Sequence, residues 1–313
     1  MPGDGFRRVR VTARAKVNLG LAVGPLRPDG FHELITVFQS ISLADTLIAA
    51  RRASGFRLRV RHENVALPEG GPALTDRVPA GAENLVLRAA RLFRQRVGFE
   101  GGAEFTLIKR IPAQAGLGGG SADAAAALRA LEALSGKRLA RARRLDLAAE
   151  LGSDVPFATV GGTALGRGRG EKLERLRLDR PFRALIVVPR WRVSTARAYR
   201  QIDMKKFALT RYMATLRSAS LLRRAPVRPG RALRLGNSFE DVLGENRKRF
   251  LALRNRLLRA GAVAVRLSGS GSAVLGIIPS GVASHVVAGR LAGNEPRYAV
   301  KSERNGLRIE FLP

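Results

Sequence analysis

The 313-residue sequence predicts an α+β fold, on three observations. Strand-like and helix-like segments follow one another without the regular βαβα order of a doubly wound sheet. The alternating segment Gly102 to Ile108 delivers the chain into a glycine-rich run that opens an alanine-rich helix. Near the end, Val263 to Leu267, Gly269-Ser270-Gly271 and Ala273 to Ile278 read as strand, glycine turn, strand.

Taken in order, Val9 to Val11 and Leu19 to Val23 read as strands around the small polar patch Ala15-Lys16-Val17-Asn18. Leu26 to Gly30 has the proline and glycine of a tight reversal. Leu34 to Leu43, Thr46 to Ala50 and Phe56 to Val60 alternate as strands. Asn84 to Arg96 is helical through Leu85, Ala89, Leu92 and Phe93, and Arg141 to Leu151 is a further helix. Gly161 to Gly170 reads as a loop. Arg183 to Val188 is a short apolar strand, and Arg190 to Arg200 a loop with a short helix. Helices are expected within Met204 to Leu222 and Glu245 to Arg259. The length suits two domains, and the break is expected near Leu178 to Arg183, giving 1–178 and 179–313.

The most informative stretch is Ile111 to Asp123. Four glycines in the five positions from Gly116 to Gly120 strip away side chains, so backbone N–H groups can approach an anion. Ala122 to Leu134, without proline or glycine, then reads as a helix capped by Ser121. Unpaired donors and the positive end of a helix dipole on one point make a phosphate site. Two better-known loops are excluded by spacing. Gly120 is followed by Ser121 and not by the lysine of a P-loop, and a dinucleotide fingerprint would need glycine at Ser121.

Composition bounds the chemistry. There is no cysteine, so disulfides and thiolate chemistry are out, and His32, His62 and His285 are scattered without zinc spacing. No stretch has signal-peptide or membrane-span character, which makes a cytoplasmic enzyme the default. Lys and Arg number 56 against 25 Asp and Glu, a net charge of +31. Such a field attracts polyanions generally, nucleotides included. The densest stretch, Lys205 to Arg234, contains no acid. With aromatics at 5%, base-stacking equipment is sparse, and the run reads as a solvated face without a specific nucleic-acid partner.

Three motifs now coincide in order: Ala15 to Asn18, Pro112 to Asp123, and Leu267 to Ser272. On them the chain resembles the GHMP small-molecule kinase family. Arg27 to Leu34, Phe38-Gln39, Asp45-Thr46-Leu47, Gly152 to Phe157, Gly166 to Glu171 and Asn237 to Glu240 resemble one member specifically. That member phosphorylates a cytidylyl substrate in the non-mevalonate route to isoprenoids. The resemblance runs from residue 12 to about residue 278. It implies an N-terminal domain of the ribosomal-S5 type, with a left-handed crossover, and a C-terminal α+β domain. It places the active site between them and implies ATP as co-substrate with Mg²⁺.

The resemblance also implies roles. Pro112, Ala113, Gln114, Ala115, Gly116, Leu117, Gly118, Gly119, Gly120, Ser121 and Ala122 would wrap the ATP phosphates. Asn84 and Lys109 would lie near adenine. Asp154, in an otherwise apolar stretch, needs a partner or a function because an unpaired buried carboxylate is costly. The family makes it the base for the substrate hydroxyl, and Lys16 is its natural partner. Asn18, two residues on, would point to the same side of the strand. Phe31 and Tyr199 would stack on cytosine while His32 hydrogen-bonds it. Ser121 and Asp123 are both open to a metal role, Asp123 equally to a first-turn helix role.

The chain departs from the family at Phe31, often tyrosine; at Gln114 and Ala115, often smaller; and at Ala122, often serine. Two alternatives stay open. One is another kinase of the family, acting on homoserine, mevalonate or a sugar. The other is a basic nucleic-acid-binding protein, which would leave the glycine loop, Lys16 and Asp154 without a purpose.

Overall fold

A hairpin of two long strands starts the chain: β1 (Arg8–Leu26) and β2 (His32–Arg52). The computed structural model describes residues 8–68, 78–203, 207–222 and 226–313. The reversal lies where proline and glycine place it: Gly30, at φ 79°, donates its N–H to Arg27 O at 3.0 Å. Each long strand was expected as two. They are continuous because irregularities absorb the breaks, with register shifts between Arg14 and Lys16 and between Asn18 and Gly20. Such shifts re-aim side chains. The polar patch Ala15 to Asn18 therefore sits inside β1 and not beside it.

The first sheet continues through β3 (Phe56–His62) and β4 (Gly102–Lys109), which pair in parallel with helix α1 (Leu85–Val97) between them. Asn84 caps α1, its side chain accepting the N–H of Val86 at 2.9 Å, and Gly98 ends it in the left-handed region at φ 74°. Helix α2 (Gly119–Ser135) follows β4 through the glycine loop. Ala122, Ala124, Ala125, Ala126 and Ala127 are all fully buried. Small side chains on every side let this helix lie close against β1 and β2. Its N-cap is Gly118, not Ser121: the helix begins three residues earlier than expected, and Ser121 falls within its first turn.

Helices α3 (Arg141–Leu151) and α4 (Val155–Val160) lead to the hairpin β5 (Thr163–Arg167) and β6 (Lys172–Leu176). The expected loop over 161–170 is thus corrected. Its glycines serve packing: a Cβ on Gly166 would lie 2.7 Å from Phe38 Cε2, on the strand to which β5 pairs.

The second sheet is antiparallel, built from β7 (Arg183–Val187), β8 (Ala264–Leu267), β9 (Val274–Ile278) and β10 (Arg297–Lys301) in the order β10-β7-β9-β8. With it go α5 (Thr195–Asp203), α7 (Pro229–Leu233), a 3₁₀ turn (Ser238–Val242), α8 (Asn246–Arg259) and α9 (Ser284–Arg290), while α6 (Phe207–Leu222) packs against β1 and β2. The expected helix start at Met204 lies outside the described residues, as do Lys205, Lys206, Arg223 and Arg224 of the basic run.

The last strand, β11 (Leu307–Leu312), returns to pair antiparallel with β1, from Arg8↔Leu312 to Ala13↔Leu307. The sheets part between β6 and β7, but residues 307–312 of the expected second domain belong to the first sheet. We propose a division at 178/179 with that strand returned. One apolar cluster, including Val17, Leu19 and Ile35 of the first sheet and Ile186 and Leu275 of the second, joins the two.

Candidate active site

A cleft of about 1040 Å³ opens where the three motifs converge. The glycine loop is clamped on both sides. Lys16 of β1 donates its N–H to Leu117 O at 2.9 Å. From the second sheet, Ala273 N–H reaches Ala115 O at 3.0 Å, and Ser268 Oγ donates to Gly116 O at 3.0 Å. Two glycines are required by this crowding. A Cβ on Gly116, at φ 79°, would strike the carbonyl of Ser268, and one on Gly118, at φ 70°, would lie 2.9 Å from Lys16 Cγ.

Within the loop, Gln114, Gly116, Gly118 and Ser121 face the cleft. Pro112, Ala115, Leu117 and Ala122 are buried, so they can offer a ligand backbone groups at most. Leu117 and Ala122 belong to the apolar core under the loop. Ala113, Gly119 and Gly120 are partly exposed or exposed around the same turn. Gln114 takes φ 55°, and its Oε1 lies 3.3 Å from Arg192 across the cleft.

Lys16 and Asp154 meet. Lys16 Nζ lies 3.3 Å from Asp154 Oδ2, and only the aspartate is a third exposed. The ammonium is aimed from behind: Lys16 Nζ donates to Asn18 Oδ1 at 2.8 Å, Asn18 Nδ2 to Thr36 Oγ1 at 2.7 Å, and Thr36 Oγ1 to Gly20 O at 2.8 Å. Asn18 thus spends its amide on fixing Lys16, although it also lines the cleft.

At the other end, Phe31 is 48% exposed, its ring under the guanidinium of Arg169 at 4.7 Å. His32 is buried and stacks on Tyr199 with centroids 5.3 Å apart. Its Nδ1 lies 2.9 Å from Gly24 O; a carbonyl only accepts, so Nδ1 carries the hydrogen. Tyr199 meets Phe239 edge-on at 5.0 Å. Burial, with the charge of Asp154, pushes the Tyr199 phenol up to about 12, so it stays neutral.

Two residues expected near adenine have their side chains engaged within the protein. Lys109 lies outside the cleft lining, 4% exposed, with its ammonium on Asp45 and on Asp123 at 2.7 Å from the latter. Burial alone would lower the Lys109 amine, but Asp123 and Asp45 hold it above its ordinary value. Asn84 likewise spends its side chain on capping α1 and on Pro79 O, at 2.6 Å. Asp123 is turned inward too. Burial pushes its carboxyl up to about 8 against the pull of Lys109, and it presents nothing to a metal in the cleft.

Sequence reading missed the bracket under the third motif. Asn237 Nδ2 donates to Leu267 O at 2.9 Å and Gly269 O at 2.8 Å, and Glu240 accepts the N–H of Leu267 at 2.9 Å. Ser238 Oγ accepts the N–H of Val23 at 3.1 Å. The run Asn237 to Glu240 therefore ties the glycine turn to β1. Sequence reading also missed the cleft arginines Arg169, Arg192 and Arg200. Arg169 lay within a quoted motif; the other two carried no signal.

Residues 84–162 match the N-terminal domain of GHMP kinases, and 218–292 match the GHMP kinase C-terminal domain. A 4-diphosphocytidyl-2-C-methyl-D-erythritol kinase of Pelotomaculum thermopropionicum is 41% identical over 296 residues, covering 93% of this chain and 96% of that one. The kinase of the same name from Moorella thermoacetica is also 41% identical, with coverage of 92% and 96%. A crystal structure of 4-(cytidine 5′-diphospho)-2C-methyl-D-erythritol kinase superposes with a TM-score of 0.73 at 34% identity, covering 94% of this chain and 98% of that one. A homoserine kinase from Cytophaga hutchinsonii shares the fold at a TM-score of 0.67 and 20% identity, covering 97% and 98%. The chain belongs to the GHMP kinases and, among them, to the 4-diphosphocytidyl-2-C-methyl-D-erythritol kinases.

Proposed function

We propose that this chain moves the γ-phosphoryl group of ATP to the C2 hydroxyl of 4-diphosphocytidyl-2-C-methyl-D-erythritol, a step of non-mevalonate isoprenoid biosynthesis. The observation that carries the mechanism is the Lys16–Asp154 pair at 3.3 Å, beside the glycine loop.

The chain's own work is positioning and electrostatics. The glycine loop and the start of α2 hold the phosphates with backbone donors. Asp154 orients the acceptor hydroxyl and takes its proton as the new P–O bond forms; the bond from the γ-phosphorus to the β-bridging oxygen breaks and ADP leaves. An aspartate is a weak base, so its proton transfer comes late, which suits a loose transition state. Lys16, fixed by Asn18, offsets charge on the moving phosphoryl group. Phe31, His32 and Tyr199 form the corner for cytosine. Arg169, Arg192 and Arg200 make the cleft cationic, as two polyanionic substrates require.

Mg²⁺ fits this cleft as a companion of the nucleotide. Among the described residues no three His, Asp or Glu side chains gather as a metal site. The cleft lining holds one carboxylate, Asp154, with neutral hydroxyls that include those of Ser121 and Ser153. Such sparse ligation matches an ion held mostly by phosphate oxygens and water, where it would neutralise phosphate charge. Among the described residues no helix is long and apolar enough to cross a membrane, and we place the enzyme in the cytoplasm without a specific nucleic-acid partner. The test is the product. Phosphorus NMR should show a new phosphomonoester on C2 with the cytidine diphosphate linkage intact; phosphate on any other oxygen would overturn the assignment.

A further inference from the structure

We propose that Asp45, Lys109 and Asp123 form a buried brace that sets the shape of the glycine loop and thereby positions ATP. The three sit at the two ends of that loop. Asp45 Oδ1 accepts the backbone N–H groups of Arg110 and Ile111, at 2.6 and 2.9 Å, where the chain leaves β4. Asp45 Oδ2 accepts from Lys109 Nζ, which also donates to Asp123 Oδ2 at 2.7 Å, one turn into α2. A single ammonium therefore links the loop's entrance to its exit. The exposures of Asp45, Lys109 and Asp123 are 0%, 4% and 2%. The brace touches the loop itself: a Cβ on Gly119 would lie 3.3 Å from Lys109 Nζ and 3.0 Å from Ile111 Cγ2.

An arrangement of this kind is a poor way to gain stability. Burying charges costs solvation, and a buried ion pair is weak evidence of a gain in stability. Asp123 Oδ1 shows the cost directly, being buried without a hydrogen-bond partner among the described residues. What two carboxyl groups on one ammonium do supply is direction and distance. A loop that binds by backbone N–H groups needs that, since it has no side chains to steer with.

The inference rests on the reading that this loop holds ATP, and the experiment separates the two. Asp123→Ala cuts the link to α2 while leaving Lys109 on Asp45; Asp123→Asn keeps an acceptor for Lys109 in the same place. Steady-state constants for both substrates would be measured in the full chain, with melting temperature and titration by a fluorescent ATP analogue. Asp123→Ala should raise KM for ATP about 10- to 100-fold, the scale of a small misplacement, with KM for the cytidylyl substrate within about twofold of wild type. Asp123→Asn should recover most of that loss. A folded Asp123→Ala enzyme with unchanged ATP affinity would overturn the brace, as would equal losses for both substrates without rescue by Asn. If Asp123→Ala does not fold, Asp45→Asn reports instead: it keeps an acceptor for the Arg110 and Ile111 N–H groups and loses the charge. The same selective rise is expected, and its absence refutes the proposal. Failure of the analogue to bind the unmutated enzyme would instead sink the ATP reading of the loop.

Discussion

Gly118 and Lys16 share one space: a Cβ on Gly118 would lie 2.9 Å from Lys16 Cγ and 3.2 Å from its Cε. The glycine loop and Lys16 are therefore a single mechanical unit. Nucleotide binding and phosphoryl transfer should fail together when this contact is disturbed.

Gly118→Val tests that coupling. The branched side chain enters where phosphate approaches, demands φ 70° of a residue that resists it, and pushes on Lys16. The expected result is a fall in kcat/KM for ATP of about 100-fold or more, with kcat itself reduced, because a displaced group of this kind costs that much. Unchanged ATP affinity by calorimetry would refute the cradle.

Asp154→Asn and Lys16→Met should each lower kcat by roughly 10²- to 10⁴-fold while leaving both KM values nearly intact, as for groups that act in the transition state. Because the pair acts as one, the double variant should be little worse than either single one. Near-normal kcat at saturating substrates in either single variant would remove that residue from the mechanism.

Recognition of the base should divide between stacking and edge reading. Phe31→Ala and Tyr199→Ala should each weaken cytidine diphosphate by about 1–3 kcal/mol, the range for loss of one stacking face. Phe31→Tyr should be close to neutral. His32→Ala should narrow the difference between cytidine and uridine diphosphates, since edge hydrogen bonds discriminate where stacking does not. Competitive inhibition by both diphosphates measures this. A His32→Ala enzyme with an unaltered preference would contradict the role given to the imidazole.

The bracket under the glycine turn has a pH signature. Burial pushes the Glu240 carboxyl above its ordinary 4.5, although Arg266 and the Leu267 N–H pull the other way. The native state thus holds that proton more tightly than the unfolded chain does. Its contribution to stability is full below pH 4.5 and is lost as pH rises through the native value. Glu240→Gln keeps an acceptor for Leu267 and does not titrate. In urea unfolding, stability relative to wild type should shift in favour of Glu240→Gln as pH rises from 4.5 toward neutrality. A shift in the opposite direction would contradict the sign.

The glycine loop was legible because its chemistry is written in consecutive residues, and β4, α1, α3, β7 and β9 were legible through their apolar patterning. What the sequence hid was long-range. Nothing local marks β11 as a partner of β1, because partners as far apart as Arg8 and Leu312 leave no pattern in either segment. Gly161 to Gly170 read as a loop since glycine usually punctuates, whereas Gly166 is small to admit Phe38. Lys109 was expected near adenine because the family resemblance implies it. Only the fold brings Asp45, 64 residues upstream, to its ammonium. Asn237 was noticed as part of a motif, but its work of holding Leu267 and Gly269 is visible only in three dimensions.

The most direct test of the account is a coupled assay of ADP release with each of three acceptors: 4-diphosphocytidyl-2-C-methyl-D-erythritol, homoserine and mevalonate. ADP should appear only with the cytidylyl acceptor, and its release should be lost in Asp154→Asn. Release at comparable rates with homoserine or mevalonate, or release indifferent to the Asp154 substitution, would contradict it.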